Sequence, residues 1–219
     1  MKNYFTIILF CLSFTNNVFA TDWSGFYAGL SLANDKSDSQ FNDRISTINA
    51  RTPDTIKNTD NTKTSIGLNL GYKSQFSNNF VVGITGDYFP QDYSKQVVFY
   101  DGQADIFEKL SEAKSLSVSL GYNFEKWLPY VSIGKISLKQ NYAPVHATLG
   151  HLDPVSHTRN GDVIGAGISY MISENNIISF EYSNADFGSK ETASPNLTST
   201  RLFSDLQIER SIIKISKKF

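Results

Sequence analysis

Apolar and polar residues alternate with a period of two through six stretches of the chain. Phe26, Ala28, Leu30 and Leu32 interleave with Tyr27, Gly29, Ser31 and Ala33. Ile66, Leu68, Leu70 and Tyr72 interleave with Ser65, Gly67, Asn69 and Gly71. The same alternation runs through 80–88, 115–124, 163–172 and 178–183. A period of two is that of a β-strand, whose successive side chains point to opposite faces. Two more stretches lose phase. Between 129 and 139 the apolar parity passes from Val131 and Ile133 to Ile136 and Leu138, and near the C-terminus from Leu206 and Ile208 to Ile213 and Ile215. A one-residue bulge in each would produce the switch. The pattern therefore predicts an all-β chain of eight antiparallel strands. Short turns at 77–79, 125–128 and 173–176 alternate with four long polar loops at 35–63, 90–113, 140–160 and 188–201.

Period two does not say which face points outward. A soluble ligand-binding barrel turns its large apolar face inward, and a membrane barrel inverts that arrangement. Here the polar face is Gly, Ser and Asn rather than the Lys and Glu of a solvated surface. Small residues suit the narrow lumen of eight strands, which side chains alone can fill. The chain carries 16 Phe, 11 Tyr and 2 Trp. Many recur at strand ends, among them Trp23, Phe26, Tyr72, Phe80, Tyr122, Trp127, Tyr130 and Tyr170, as in the aromatic girdles of a bilayer-spanning barrel. The expected fold is an eight-stranded antiparallel up-and-down transmembrane β-barrel, with periplasmic turns and extracellular loops.

The first twenty residues read as an address. Lys2 is followed by an apolar run from Phe5 to Phe14, too short to span a bilayer, and then by Val18-Phe19-Ala20. That layout predicts a signal peptide over 1–20, cleaved between Ala20 and Thr21, ahead of a barrel domain over 21–219. Cys11 is the single cysteine. Phe10 precedes it where a lipoprotein anchor needs a small residue, and removal of the leader leaves no thiol for a disulfide framework.

Trp23-Ser24-Gly25-Phe26-Tyr27-Ala28-Gly29 resembles the opening of small bacterial outer-membrane β-barrel proteins, the porin-family and opacity-type proteins related in fold to the membrane domain of outer-membrane protein A. Gly83 with Asp87-Tyr88, Leu128-Pro129-Tyr130-Val131, Val163-Ile164-Gly165-Ala166-Gly167 and Glu181-Tyr182 with Asp186-Phe187-Gly188 continue the likeness in order. The terminal Phe219 resembles the aromatic insertion signal of that family, although Lys217 stands where the family usually has an aromatic residue. The resemblance implies a bacterial outer-membrane location and the barrel-insertion machinery as a partner. Outer-membrane lipid and lipopolysaccharide would surround the barrel, and the loops would be free to meet a surface or host ligand.

Chemistry beyond this is sparse. Net charge is -1, which leaves no basic footprint for nucleic acid. His146, His151 and His157, with Asp153 among them, share one loop but match no compact metal spacing. His157 beside Ser156 could suggest a lipid-modifying hydrolase, yet no flanking signature accompanies it. No metal, cofactor or catalytic site is expected, and the chain is not read as an enzyme. The 90–113 loop holds Asp92, Asp101, Asp105, Glu108 and Glu112 against Lys95 and Lys109, as a solvated surface does. One internal site is predicted. Asp87 and Glu181 lie on the small, inward parity, and Lys214 alternates with Ile213 and Ile215. Lys135 joins them if the parity of Ile136 and Leu138 governs its strand. Charges at mid-barrel depth must face the interior and find partners, so these four are expected to form a lumenal network. The expected role is structural and surface-presenting. The alternatives are a small pore-forming porin, a lipid-modifying outer-membrane enzyme and a soluble periplasmic ligand-binding barrel.

Overall fold

Strands β1 (Gly25–Ile45), β2 (Thr55–Gln75), β3 (Phe80–Phe99), β4 (Ala104–Tyr122), β5 (Trp127–His146), β7 (Val155–Ser173), β8 (Asn176–Glu191) and β9 (Thr200–Lys218) pair antiparallel with their sequence neighbours. A two-residue β6 (Gly150–His151) pairs only with the end of β5. The β1–β9 ladder closes the ring into an eight-stranded barrel. The structure, a computed structural model, describes residues 21–45, 55–99, 104–146, 150–151, 155–191 and 200–219. The predicted leader, with Cys11 and Ala20, lies outside the described residues, as does Asp153.

The alternating stretches form the wall, with their large apolar residues outward. Leu30, Leu68, Leu70, Leu116, Val118, Val131, Ile133, Ile164, Phe180 and Ile215 are all exposed. The inner parity carries Ser31, Asn69, Ser132, Ser169, Ser179 and Ser183, all buried. A continuous exposed apolar belt of this extent is the mark of a lipid-facing surface. At the short-turn end it is edged by aromatic pairs. Phe26 and Tyr72 lie 4.9 Å apart, Phe80 and Tyr122 5.3 Å, and Trp127 and Tyr170 4.4 Å. At the other end the outward residues turn polar in seven of the eight barrel strands, with Asn34, Thr64, Lys114, Lys135, Asp162, Asn184 and Ser211 at the boundary.

Two expectations change. The strands run on past the belt, so most of 35–63, 90–113 and 140–160, and both ends of 188–201, are strand rather than loop. Beyond the belt the outer face meets water as well, so alternation of apolar and polar residues no longer marks a strand there. The expected bulges are also elsewhere. β5 pairs with β7 without interruption from Trp127 to Tyr142, and β9 pairs with β1 without interruption throughout. Ile133 is 66% exposed and Ile136 3%, so the apolar residues of β5 pass from the lipid face to the interior. Leu206, Ile208 and Ile212 are likewise interior. The register shifts fall in β3 between Phe89 and Asp92, in β4 between Ser111 and Lys114, and in β8 between Asp186 and Ser189. In the β8 bulge Gly188 takes φ +60°, a left-handed conformation that glycine adopts at little cost.

Above the belt the wall divides. The β2–β3 ladder ends at Leu68–Tyr88 and the β7–β8 ladder at Asp162–Asp186. The other ladders continue, leaving β2-β1-β9-β8 facing β3-β4-β5-β7 as two four-stranded sheets. Side chains lace the seam between β7 and β8. Arg159 on β7 donates to the carbonyls of Phe187 and Gly188, 3.2 and 2.5 Å away, and Lys190 on β8 donates to that of Thr158 at 3.1 Å.

Candidate functional site

The interior is a stack of layers. At the short-turn end Trp23, Tyr27, Val81, Leu128, Met171 and Ile177 form an apolar plug. Trp23 is 0% exposed. Its indole N–H donates to Asn123 Oδ1 at 3.1 Å, and its backbone carbonyl accepts from the Tyr27 hydroxyl. Trp23 is therefore a stopper rather than a girdle residue. Small polar groups lie above it, with Asn69 donating to Ser31 at 2.9 Å and accepting from Ser216 at 2.8 Å. Ser169 and Ser179 are joined at 2.8 Å.

Next comes the charged layer. Lys214 Nζ on β9 lies 3.0 and 3.1 Å from the two carboxylate oxygens of Asp87 on β3, and 3.3 Å from Glu181 Oε2 on β8. All three side chains are buried. The Tyr130 hydroxyl donates to Glu181 Oε2 at 2.9 Å. Tyr130, expected in the outer girdle, points inward because Gly167 gives its ring room: a Cβ on Gly167 would come within 2.6 Å of the Tyr130 ring. The same chamber is lined by Lys73, whose Nζ sits 4.7 Å from the centroid of Tyr27 and 5.2 Å from that of Trp23. Its free volume is about 50 Å³, room for a few waters.

The structure brings Asp87, Glu181 and Lys214 together and leaves Lys135 out. Lys135 projects from the outer face, with its side chain 77% exposed, and pairs with Asp162 on β7. With β5 free of a bulge, Lys135 keeps the outward parity of Val131 and Ile133. Its expected place among the cations is taken by Lys73, which falls two residues beyond Gly71 on the small face of β2. Extending the inward parity by one step would have found it.

Above the charged layer a second apolar plug holds Phe89, Leu110, Ala113, Ile136, Leu138, Phe187, Leu206, Ile208 and Ile212. The Asp35–Arg210 pair is set against it, with the Arg210 guanidinium 4.5 Å from the centre of the Phe89 ring. Higher still, Gln140 donates to Glu108, and Ser39 donates to Glu108 at 3.4 Å. Arg159 donates to Gln140 at 3.0 Å and to the Ser204 carbonyl at 3.2 Å. Glu108 is thus an interior group rather than part of a solvated loop. Removing one partner from such a buried charge network costs roughly 3–5 kcal/mol, because it strands the other.

Among the described residues no reacting group stands out. Ser156 is exposed on the outer face, whereas His157 follows the inward parity of Arg159, so the two do not face each other. Burial, together with the charges of Lys190 and Arg159, holds the His157 imidazole below its usual pKa. Among the described residues no three His, Cys, Asp or Glu side chains are grouped as metal ligands. Phe219 donates its backbone N–H to the Phe26 carbonyl at 2.9 Å and leaves its ring exposed.

A family model for the outer membrane protein beta-barrel domain matches residues 6–204. No curated protein matches at the sequence level. Among solved structures, the outer membrane protein OprG from Pseudomonas aeruginosa is 14% identical with a TM-score of 0.54, covering 93% of this chain and 99% of its own. The attachment invasion locus protein Ail of Yersinia pestis, in complex with the heparin analogue sucrose octasulfate, is 13% identical with a TM-score of 0.46, covering 87% of this chain and 99% of its own. The outer membrane protease OmpT from Escherichia coli is 10% identical with a TM-score of 0.49, covering 93% of this chain and 99% of its own.

Proposed function

The chain belongs to the outer membrane protein β-barrel family, and from that premise we propose a closed barrel whose tall hairpins present a polar surface outside the bacterial cell. The observation that carries this reading is the double closure of the lumen. A conducting porin needs a continuous aqueous path, and eight strands leave an interior that side chains fill. Here apolar plugs built on Trp23 and on Phe89 lie on either side of the charged layer. The chamber between them has a free volume of about 50 Å³, room for a few waters rather than a continuous aqueous path.

The role then falls to the part outside the belt. The two four-stranded sheets above Leu68–Tyr88 and Asp162–Asp186 carry exposed Lys36, Asp38, Lys63, Asp92, Lys109 and Lys139. Such an exposed, mixed-charge surface offers electrostatic contacts that can steer and select other macromolecules. Recording from the protein in planar bilayers tests closure, with no unitary conductance expected. Steady channels would favour the small-porin reading. Pull-downs with intact protein and with the hairpins shortened at 46–54 and 100–103 then test presentation. Capture of the same partners by both forms would overturn it.

A further inference from the structure

The division of the wall above the belt leaves strand edges on β2, β3, β7 and β8, and three of them are guarded. β3 runs into Pro90, which has no N–H, and into the bulge between Phe89 and Asp92. β8 is bent by the bulge at Gly188, and Arg159 and Lys190 tie β7 to β8. β2 is different. From Thr55 to Gly67 it holds an uninterrupted ladder with β1 and none with β3, and that stretch contains no proline. The Phe76 N–H bonds to the Phe80 carbonyl, so the even-numbered residues of β2 turn their N–H and C=O toward β3. Above Leu68 this puts the backbone groups of Ile66, Thr64, Thr62 and Asn58 on the edge, where no strand of the described residues pairs with them. Thr62, Lys63 and Thr64 are consecutive and all exposed, so both faces of the strand reach water there.

We propose that the β2 edge takes up an extended, basic polypeptide segment of another protein as an added strand, by main-chain pairing with Ile66, Thr64, Thr62 and Asn58. The inference rests on the hairpins being a presented surface and names the chemistry of a partner. Main-chain bonds to an open edge supply affinity, and the side chains alternating along the added strand supply selectivity. The outer face that this strand would extend is acidic. Asp38 and Asp186 share a cross-strand row with Gln207, and Asp205 stands in the next row beside Gln40. Asp38, Asp186, Asp205 and Asn58 border one concavity of about 420 Å³, which reaches the β2 edge. Lys36, nearer the belt on β1, lies opposite Glu209 and leaves these carboxylates in excess. Lys or Arg at every second position of the segment complements that face, because opposite charges on neighbouring strands stabilise pairing. A second copy of the chain would instead set its own acidic sheet beside this one.

The test uses the full barrel refolded into phosphatidylcholine nanodiscs, which leave both ends accessible. The probe is an end-labelled peptide of alternating lysine and threonine, followed by fluorescence anisotropy. Saturable binding to the wild type is expected. Two further peptides carry backbone N-methyl groups on every lysine or on every threonine, at unchanged charge. A strand turns alternate N–H groups to each side, so one of the two should lose binding and the other keep it. Thr62→Pro removes an edge N–H and spares the β1 ladder, which the odd-numbered residues make. It should weaken binding about tenfold while the barrel still folds. Asp38→Asn/Asp205→Asn should weaken it as well, and a peptide with glutamate in place of lysine should not bind. No binding to folded wild type, equal behaviour of the two N-methylated peptides, or equal binding of the glutamate peptide would each overturn the site. If Thr62→Pro does not fold, the N-methylated pair decides alone. Self-association of the wild type that Thr62→Pro abolishes would give the edge to a second copy and overturn this occupant. Those outcomes leave surface presentation to the pull-downs above, whereas failure to enter any bilayer would overturn the membrane reading instead.

Discussion

Arg210 on β9 meets Asp35 directly across the β1–β9 ladder, with Nε 2.5 Å from Oδ1 and a terminal nitrogen 2.7 Å from Oδ2. The side chains are 6% and 0% exposed. A buried bidentate pair of this kind locks the register of the strands that close the barrel. Asp35→Leu or Arg210→Met alone is expected to cost roughly 3–5 kcal/mol, because each leaves an uncompensated buried charge. The double variant should recover most of the loss. Urea unfolding in lipid vesicles measures it, and strictly additive losses would show that the two do not interact.

The lumenal layer is expected to follow the same rule at greater depth. Lys214→Met should destabilise the barrel more than Glu181→Gln, since Lys214 bridges Asp87 and Glu181 and its loss strands both carboxylates, whereas Glu181→Gln leaves the Asp87–Lys214 pair in place. Lys135→Gln, on the outer face, should change stability by no more than about 0.5 kcal/mol in phosphatidylcholine. A Lys135 effect as large as that of Lys214 would return it to the lumen.

The belt has an edge, and arginine should find it. Leu120→Arg, at an exposed apolar position of β4, is expected to cost roughly 2–4 kcal/mol in lipid. Thr62→Arg, outward on β2 beyond the belt, should cost less than about 0.5 kcal/mol. Equal costs at the two sites would contradict the assignment of the outer face to lipid.

His157 should titrate below the free imidazole. Burial and the neighbouring Lys190 and Arg159 favour its neutral form. The folded state therefore binds its proton less readily than the unfolded chain. The stability it contributes is fully present above about pH 6.5 and is lost as pH falls from there through the folded-state value. The chemical shift of its ring protons against pH reads the midpoint directly. A midpoint at or above that of free histidine would refute the assigned surroundings.

The processed protein is expected to begin Thr21-Asp22-Trp23. Trp23 is enclosed, and the Thr21 carbonyl accepts from Asn123 at 2.9 Å, so residues 21–24 are built into the barrel mouth. N-terminal sequencing of the outer-membrane form decides it. Recovery of Met1, or of a lipid on Cys11, would refute cleavage at Ala20.

The strand count, the antiparallel order and the outward face were legible in the sequence, because lipid on one side and a narrow lumen on the other impose period two wherever the belt runs. Leu30 against Ser31 and Leu120 against Ser119 carry that signal with no knowledge of what lies across the barrel. Asp87, Glu181 and Lys214 could be placed inside by parity alone. Three features belonged to the closed structure. The passage of Ile136 and Leu138 into the core looked like a bulge, because an apolar residue reads the same facing lipid or packed inside. The strands beyond the belt were hidden because water on their outer face removes the contrast between faces. The exclusion of Lys135 from the lumen depended on β5 running without a bulge from Trp127 to Tyr142, which only its ladder to β7 settles. Polarity along a strand says which way a side chain points, and the ring of paired strands determines what it meets there.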